Sequence, residues 1–449
     1  MRMCARRARR PRKWVMRRGL RGAAAAAAAR RHLRRLRLAG RPGGACRNLA
    51  LGESVGWTPI GGAVMDLLTE RRERELREAK EYPPNAKRAI LDRDPSFSRM
   101  NLTYPFETDA NYGNHYRNPF GLLRVGKVME DLDMVAAHVA FRHCDDDDAA
   151  TPPLDLVTAS IDKIKALSPK PLGIDRNLHL SGQVAWTGRT SVNLHIELRA
   201  GDEPYLSSNF IFVARDPNTY KAVPINRVVP GTKAEKTNWE EAQKRADVLK
   251  AQGKSFLHLS QKGLLEEVGP EGLAWCQEQL AESETLSQLP SLGHKRNEVT
   301  MAQTQTQMTS LCMPQDQNIY GKMFGGTLCR RAYELAFCSV FSFGGCQPNF
   351  IEVDRIDFLT PVEVGSILRL DSQVLHTGQH ESGQWVVFCE VRASVLKPEQ
   401  GESHTTNTFT FTFAVDKPLA SVFPGNLEEA WKGWKCHQAL AELESPMLA

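Results

Sequence analysis

The chain has 449 residues, of which 41% are apolar and 24% charged, so it has room for two or three folded domains of ordinary composition. Its formal charge of +6 originates at one end. The first 52 residues hold 17 Arg and Lys and no acidic residue, and the remainder carries 41 basic and 52 acidic residues, a net of −11. This distribution argues against a nucleic-acid-binding role for the body of the chain.

An Arg- and Ala-rich segment without carboxylates opens the chain, and the first acidic residue is Glu53. This composition is typical of an organelle transit peptide, which we expect at residues 1–55. The Ala run is too short to cross a membrane, and no later segment reaches that length. We therefore expect a protein without a membrane span, located in the mitochondrion or, alternatively, in a plastid. A basic tail that binds acidic surfaces is the other interpretation.

The next segment is predicted to be an N-terminal helical appendage at 56–96, with a charged helical pattern at 65–80. A first domain at 97–216 begins with a strand at 98–105 and an apolar helix at 122–142. Turn signals such as Thr187-Gly188 separate four further strands. These strands are predicted at 154–164, 178–186, 192–198 and 209–214.

A helical connector at 217–298 follows, with helices expected near 239–250 and 270–284. A second domain at 299–416 has the same order of elements, with a helix at 325–343, and a tail at 417–449 ends the chain. The strands of the second domain are predicted at 300–308, 350–358, 366–375, 385–395 and 406–415. One apolar helix that covers about four antiparallel strands, twice over, predicts an α+β fold.

The second domain also repeats the first residue by residue. The segment NPFGLLRVGKVMEDLD begins at Asn118 and NIYGKMFGGTLCRRAY at Asn318, an offset of 200 that also aligns their Gly positions. Later matches have offsets of 192, 190 and again 200, in the same order. Two copies at this period indicate a duplicated domain that forms a pseudo-twofold dimer inside one chain, with sites between the halves.

A motif in the second copy gives the repeat a family resemblance. PQDQNIYGKMFGG from Pro314 resembles the P-x-x-x-N-x-x-G-x-x-F-G-G motif of hotdog acyl-coenzyme A thioesterases. The span 98–416 resembles the acyl-coenzyme A thioesterase 9 family with its plant and algal relatives; YRNPFG, RVGKVMEDLD, RRAYELA and SFGG are the most specific matches. The resemblance implies two tandem hotdog domains, each a long helix wrapped by an antiparallel sheet.

The resemblance also implies a reaction: hydrolysis of acyl-CoA to a free acid and coenzyme A, without a metal or redox cofactor. It further implies a homo-oligomer, with three double-hotdog chains as the expected assembly. Two other functions are considered. One is an acyl-CoA-binding scaffold with decayed sites. The other is a hotdog hydratase or dehydratase, which usually uses a His that neither copy has at the motif position.

In the family, a catalytic carboxylate follows the last Gly of the motif by seven residues. Counting from Gly126 gives Asp133, whereas counting from Gly326 gives Tyr333, which is followed by Glu334. Asp133 would act as a general base or attack directly to form an anhydride. The alternative is an exposed helix residue, and we expect its substitution to leave folding nearly unchanged.

Family sites pair the Asn of one copy with the acid of the other, so one complete set results from Asn318 and Asp133. Gly325 and Gly326 complete this set, because a helix start presents free N–H groups and the positive end of the helix dipole to a developing oxyanion. A Gly there also lets the ligand approach the backbone. Asn318 would orient the water or the thioester oxygen, and it could hold a turn at the same time.

The other set, Asn118 with Glu334, departs from the motif and is expected to be degenerate. Lys322, Arg331 and Arg355 are possible ligands of the coenzyme A phosphates, although such residues are usually just solvated.

The sequence offers no metal site. The acidic run at 145–148 is expected to be a solvated loop. The ten cysteines are scattered without zinc-ligand spacing, so we expect free thiols.

Overall fold

A computed structural model describes residues 59–78, 88–148, 151–168, 170–217, 219–252, 261–358, 360–445 and 448. They belong to one compact unit, Cys46–Ala449. The expected transit peptide at 1–55 lies outside the described residues. Among the helices of the described part, none is both long enough and apolar enough to span a membrane.

The first repeat is preceded by a helix, as the charged pattern predicted, and contains one long helix and a sheet. Its helix begins three residues later than predicted, and its fourth strand starts six residues earlier, at Glu203. In chain order the elements are α1 (Pro59–Glu78), β1 (Asp92–Arg93), α2 (Pro95–Ser98), β2 (Met100–Tyr104), α3 (Ala110–Tyr116), α4 (Val125–Cys144), β3 (Asp155–Ala166), β4 (Leu178–Thr187), β5 (Ser191–Ala200), β6 (Glu203–Arg215) and β7 (Arg227–Val228).

The connector is helical, as expected, and consists of α5 (Lys233–Gln252), α6 (Gln261–Gln288) and α7 (Pro290–Arg296). Helix α6 is interrupted at Gly269, whose φ of 69° lies in the left-handed region that Gly tolerates, directly before Pro270. The tail after 417 forms β15 (Ser421–Phe423) and α9 (Leu427–Ala441). Trp434 of α9 packs against Trp275 of α6, with ring centroids 5.6 Å apart, so the tail is folded against the connector.

The second repeat follows the order of the first. Its elements are β8 (Glu298–Thr300), β9 (Thr306–Leu311), α8 (Gly325–Gly344), β10 (Asn349–Val353), β11 (Ile356–Asp357), β12 (Ile367–Gln379), β13 (Trp385–Lys397) and β14 (Glu402–Val415). The prediction of a continuous strand at 300–308 was wrong. A 3₁₀ turn, Met301–Thr304, interrupts it, and the side chain of Gln303 accepts the backbone N–H of Thr300 at 2.8 Å. The predicted strand at 350–358 is likewise split between β10 and β11.

Eleven strands of the described residues form one sheet in the order β2-β4-β5-β6-β3-β10-β14-β13-β12-β9, with β11 also paired to β3. The order is symmetric about the junction of β3 and β10, where Val353 faces Ile164 in antiparallel register. Each half of the sheet covers one long helix, which confirms the α+β fold of two hotdog domains.

Helices α4 and α8 pack against each other at the pseudo-twofold axis. Cys329 contacts Met129, with 3.8 Å between the sulfur atoms, and the two positions are 200 apart in the sequence. Thr327 of α8 donates a hydrogen bond to Glu130 of α4 at 2.7 Å. The expected intrachain pseudo-dimer is therefore confirmed.

Helix α1 packs against α4 through buried Ile60, Val64 and Leu68. The guanidinium of Arg71 lies 5.0 Å from the ring centroid of Phe141, and that of Arg72 lies 5.4 Å from the ring of Tyr320. The helix therefore covers residues of both repeats.

The acidic run at 145–148 is partly solvated, as expected, with the Asp145 and Asp147 side chains 40% and 64% exposed, but three of its carboxylates also form ion pairs. Arg71 pairs with Asp145 at 3.3 Å, Arg88 with Asp146 at 3.1 Å and Arg93 with Asp147 at 2.6 Å. These arginines precede the first repeat or lie at its start, so the carboxylates anchor that segment. Among the described residues, no group of three or more potential ligands could hold a metal. The eight described cysteines are free thiols, as expected.

Candidate active site

Asp133 lies on α4 and faces the start of α8. Its Oδ2 accepts a hydrogen bond from the backbone N–H of Gly326 at 2.7 Å, and its Oδ1 accepts one from the Thr158 hydroxyl at 3.2 Å. The expectation of an exposed carboxylate was wrong, because Asp133 is fully buried. The reason is the contact between α4 and α8, which places this face of α4 inside the molecule.

The start of α8 is built so that a carboxylate can reach its backbone. Phe324 occupies the N-cap position and makes no side-chain hydrogen bond to the first turn. A Cβ on Gly326 would lie 2.9 Å from Glu130 Cα, and one on Gly325 would lie 3.0 Å from Asp133 Oδ2 and 3.1 Å from the Phe358 ring. Both positions therefore require Gly, as the sequence indicated.

Burial is the main influence on the acidity of Asp133. It raises the pKa of this carboxyl to about 6, against the lowering effects of the hydrogen bonds from Gly326 and Thr158. The nearby Glu130 carboxylate adds to the increase. Near neutral pH, Asp133 is therefore a base of intermediate strength at a helix N-terminus.

Asn318 has the turn role that the sequence left open. Its Oδ1 accepts backbone N–H groups from Tyr320 at 2.9 Å and Lys322 at 3.1 Å, around Gly321, whose φ is 75°. Because both donors are backbone N–H groups, the oxygen is fixed in the turn. The amide Nδ2 of Asn318 is the part of the side chain that can donate hydrogen bonds.

The Asn318 turn belongs to the second repeat but contacts the first. The hydroxyl of Tyr320 accepts the backbone N–H of Leu156 at 3.2 Å. Leu156 lies on β3, two residues before Thr158, the hydroxyl partner of Asp133. The fold therefore brings this turn beside the strand that supports the carboxylate, in agreement with a site shared between the repeats.

The three cations proposed from the sequence are all engaged inside the second repeat. Lys322 forms an ion pair with Glu363, and Arg355 pairs with Asp357 at 2.9 Å. Arg331 donates to Asp316 at 2.6 Å and to Ser310 at 2.8 Å. Arg331 is mostly buried and holds the segment before the Asn318 turn, so its structural role is evident.

The second set of residues has no carboxylate at the position equivalent to Asp133. Asn118 repeats the turn of Asn318, because its Oδ1 accepts N–H groups from Phe120 and Leu122, both at 2.9 Å. Tyr333 stands where the first set has Asp133, and its ring lies 3.1 Å from where a Cβ on Gly126 would be. The neighbouring Glu334 accepts a hydrogen bond from Arg124 Nε at 2.9 Å.

This ion pair engages the Glu334 carboxylate, which was the candidate acid of the second site. Arg124 precedes α4 at the position that Phe324 has before α8, and its charge holds Glu334 at the start of α4. The carboxylate is half-exposed, in contrast to the buried Asp133.

Sequence reasoning missed Thr158 and Glu130. Thr158 falls within a predicted strand, and its counterpart in the second repeat at the local offset of 192 is Phe350, so the repeat gave no signal for it. Glu130 is buried and bonded to Thr327, and its Oε2 lies 3.1 Å from Lys127 Nζ and 3.2 Å from Arg330 Nε. It links the two helices beside the carboxylate.

The chain has relatives among known proteins. The chain is similar to the chloroplastic acyl-coenzyme A thioesterase 2 of Humulus lupulus, with 38% identity over 80% of this chain and 81% of the relative. It is also similar to the mitochondrial acyl-coenzyme A thioesterase 9 of Homo sapiens, with 31% identity over 74% of each chain. No family model matches it.

Among solved structures, the acyl-CoA hydrolase of Staphylococcus aureus in complex with butyryl coenzyme A and coenzyme A is 25% identical. That match covers 31% of this chain and 87% of the hydrolase, with a TM-score of 0.29.

Proposed function

The chain belongs to the acyl-coenzyme A thioesterase family, and we propose that it hydrolyses acyl-CoA at one site, built from Asp133, Asn318 and the helix start at Gly325-Gly326. The products are a free carboxylic acid and coenzyme A. The observation that carries the proposal is the distance of 2.7 Å between Asp133 Oδ2 and the amide nitrogen of Gly326. A thioester carbonyl at this helix start has a base in contact with it.

The residues divide the chemistry between them. The N–H groups of the first turn of α8, helped by the helix dipole, stabilise the negative charge that develops on the carbonyl oxygen. Asn318 Nδ2 donates to the same oxygen and fixes its direction. Because Gly326 donates to Asp133 in the free protein, the arriving carbonyl competes for that donor and releases one carboxylate oxygen for the reaction.

Two routes are open to the released carboxylate. As a general base it takes a proton from water while the water oxygen attacks the carbonyl carbon; the C–S bond then breaks and the coenzyme A thiolate takes up a proton. As a nucleophile it forms an anhydride and expels the thiolate, and water then cleaves the anhydride. Single turnover in ¹⁸O-labelled water separates them, because the nucleophilic route with attack of water on the aspartyl carbon places label in Asp133.

The site assignment is tested by substitution. We predict that Asp133→Asn lowers kcat by about 10²-fold or more, because Asn has nearly the size of Asp but cannot act as the base. Asn318→Ala should also lower kcat. Glu334→Gln is the matched control, since it removes a carboxylate that already pairs with Arg124. Thiol release from acyl-CoA substrates measures all three; loss of activity in Glu334→Gln with retention in Asp133→Asn would reverse the roles of the two repeats.

We propose that the reaction needs no metal or redox cofactor, because helix N–H groups and Asp133 supply both the oxyanion stabilisation and the base. Dialysis against a chelator should leave thiol release unchanged.

We propose an organellar location, and the mitochondrion rather than the plastid. The support is the Arg-rich segment at 1–55, which has no acidic residue before Glu53, and the organellar names of both relatives. A fluorescent reporter fused to residues 1–55 should enter mitochondria; accumulation in plastids selects the alternative, and a cytosolic signal contradicts the proposal.

We also propose a homo-oligomer of three chains. The sheet has two end strands, β2 and β9, and every second residue of β9 is exposed. An edge strand presents unpaired backbone N–H and C=O groups with which another chain can pair. Light scattering of the purified protein should give three times the mass of one chain.

A further inference from the structure

A cleft lies on the opposite side of the pseudo-twofold axis from Asp133, and the proposed reaction does not use it. It is formed by the Asn118 turn, the start of α4 and the face of α8 that carries Tyr333. Its walls are mainly apolar, with contributions from Leu122, Leu123, Val125, Leu172, Phe337 and Phe350.

Tyr333 contributes the hydroxyl that lines this cleft, beside the amide side chains of Asn118, Gln347 and Asn349. It is 8% exposed, and no hydrogen-bond partner of its hydroxyl is found in the described part of the chain. Burial raises the pKa of this phenol well above its ordinary value of 10, so the hydroxyl stays protonated at physiological pH. A neutral phenol in this position can donate a hydrogen bond, but it supplies neither a base nor a nucleophile.

The two sides of the axis differ in what covers them. On the Asp133 side, α1 lies over Phe141, which is 4% exposed. The counterpart 200 residues later is Phe341, which is 38% exposed. Phe120 is 41% exposed, with its ring centroid 5.6 Å from that of Phe341 and 6.1 Å from that of Phe337. The cleft therefore continues into an uncovered aromatic surface.

We propose that this cleft binds the acyl chain and the thioester of an acyl-CoA without hydrolysing it. The inference rests on the proposed function, because it takes the ligand class from the active site. The thioester carbonyl accepts a hydrogen bond from the Tyr333 hydroxyl, which stands where the active site has Asp133. The Asn118 turn repeats the turn of Asn318. The acyl chain packs along Phe337 towards Phe120 and Phe341. No carboxylate is among the residues that line the cleft, and Arg124 holds the neighbouring Glu334, so the bound thioester leaves intact.

The chemistry of the walls favours a thioester over a free fatty acid. An ionised carboxylate would lose its hydration in a mainly apolar cleft whose polar lining groups, a phenol and three amides, are all neutral, and such a burial is costly. A thioester carbonyl needs only one hydrogen-bond donor, and its burial costs much less hydration free energy.

The experiment counts binding sites with a ketone analogue of lauroyl-CoA, in which a methylene group between sulfur and carbonyl prevents hydrolysis. Isothermal titration of the full chain should give two sites per chain. Tyr333→Phe should weaken one of them by roughly fivefold, the loss expected for one hydrogen bond. Tyr220→Phe is the matched control, because it removes the same hydroxyl from an exposed residue outside the cleft.

A second variant blocks the cleft. Gln347→Trp places an indole among the lining residues from a half-buried loop position, and Asn349→Trp does so from the next strand if the first variant does not fold. One site per chain is then expected. A single site in the unmodified protein, unchanged by Tyr333→Phe and Gln347→Trp, would overturn the proposal, as would a second site that binds lauric acid or coenzyme A but not the analogue. Absence of any binding would instead contradict the proposed function.

Discussion

The pKa of Asp133 is set by the position of α4 inside the molecule. Its pKa of about 6 results from burial against two hydrogen bonds, so its protonation changes just below physiological pH. An organelle interior above neutral pH would keep it ionised.

The pH dependence of the reaction follows from this value. Because the carboxylate form is the active one, we predict that kcat/KM rises with pH along a limb centred near 6. Thr158→Val removes a hydrogen bond that lowers the pKa of Asp133, so the limb should move to higher pH. Thr412→Val is the control, since the buried Thr412 hydroxyl has no hydrogen-bond partner in the described residues. An unshifted limb in Thr158→Val would mean that another group sets the profile.

The same burial makes a prediction for stability. The native carboxyl binds its proton near pH 6 and the unfolded one near its ordinary value of 3.8, so the native state loses stability as the pH rises through 6. Asn resembles the neutral form. Asp133→Asn should therefore be more stable than the unmodified protein at pH 8, by up to about 3 kcal/mol.

Urea unfolding at pH 8 and near pH 4 tests this, because the difference should shrink at the lower pH. A variant that is less stable at pH 8 would show that the hydrogen bonds of the carboxylate outweigh its burial cost.

The sequence supplied the candidate site residues, but not their environment. The motif spacing, which is visible in the linear chain, placed Asp133 seven residues after Gly126. Its hydrogen bonds come from Gly326 on α8 and Thr158 on β3, and no local pattern connects these elements to α4. The turn role of Asn318 is confirmed and its role in a site stays a prediction, whereas the hydrogen bonds that restrict its side chain to donating needed coordinates.

At the scale of elements, the contact between α4 and α8 depends on two glycines with different neighbours. A Cβ on Gly326 would meet Glu130 backbone atoms at 2.9 and 3.0 Å, whereas a Cβ on Gly126 would meet side-chain atoms of Tyr333 and Arg330 at 3.1 and 3.3 Å. Backbone atoms move less easily than side-chain atoms to make room for a Cβ. We predict that Gly326→Ala costs about 1–3 kcal/mol of stability and most of the activity.

Gly126→Ala is the matched control, and thermal melting with thiol release measures both. Gly126→Ala should lower the free energy of unfolding less than Gly326→Ala. In both variants Ala favours the helix by about 1 kcal/mol, but only at Gly326 does the Cβ meet backbone atoms at 3.0 Å or less. Equal losses in the two variants would show that the helices adjust as a pair.

Helices and long strands were predictable from apolar periodicity, which burial on one face imposes. The failures came where a local turn interrupts that periodicity. Thr300 and Gln303 close a 3₁₀ turn inside an apparent strand. The ion pairs of the run at 145–148 were not predictable, because its arginine partners lie 54 to 74 residues earlier in the chain.

For the whole molecule, the proposed active site requires both repeats, with Asp133 from one and the Gly325-Gly326 helix start from the other. We predict that fragments 56–216 and 217–449, expressed separately, hydrolyse no acyl-CoA, because each exposes the helix face that the other covers. Co-expression should restore thiol release, and co-expression with Asp133→Asn in the first fragment should not. Full activity of fragment 56–216 alone would show that it pairs with itself and needs no second repeat.

The covalent connection between the repeats has a consequence for how such an enzyme can change over generations. In a homodimer, one gene encodes both subunits. A substitution at the carboxylate position therefore alters both sites at once and removes the base from both. Joined in a single chain, the two positions are inherited separately. Asp133 could remain while its partner became Tyr333, and the chain could acquire a second use for a surface of the same shape without giving up the first.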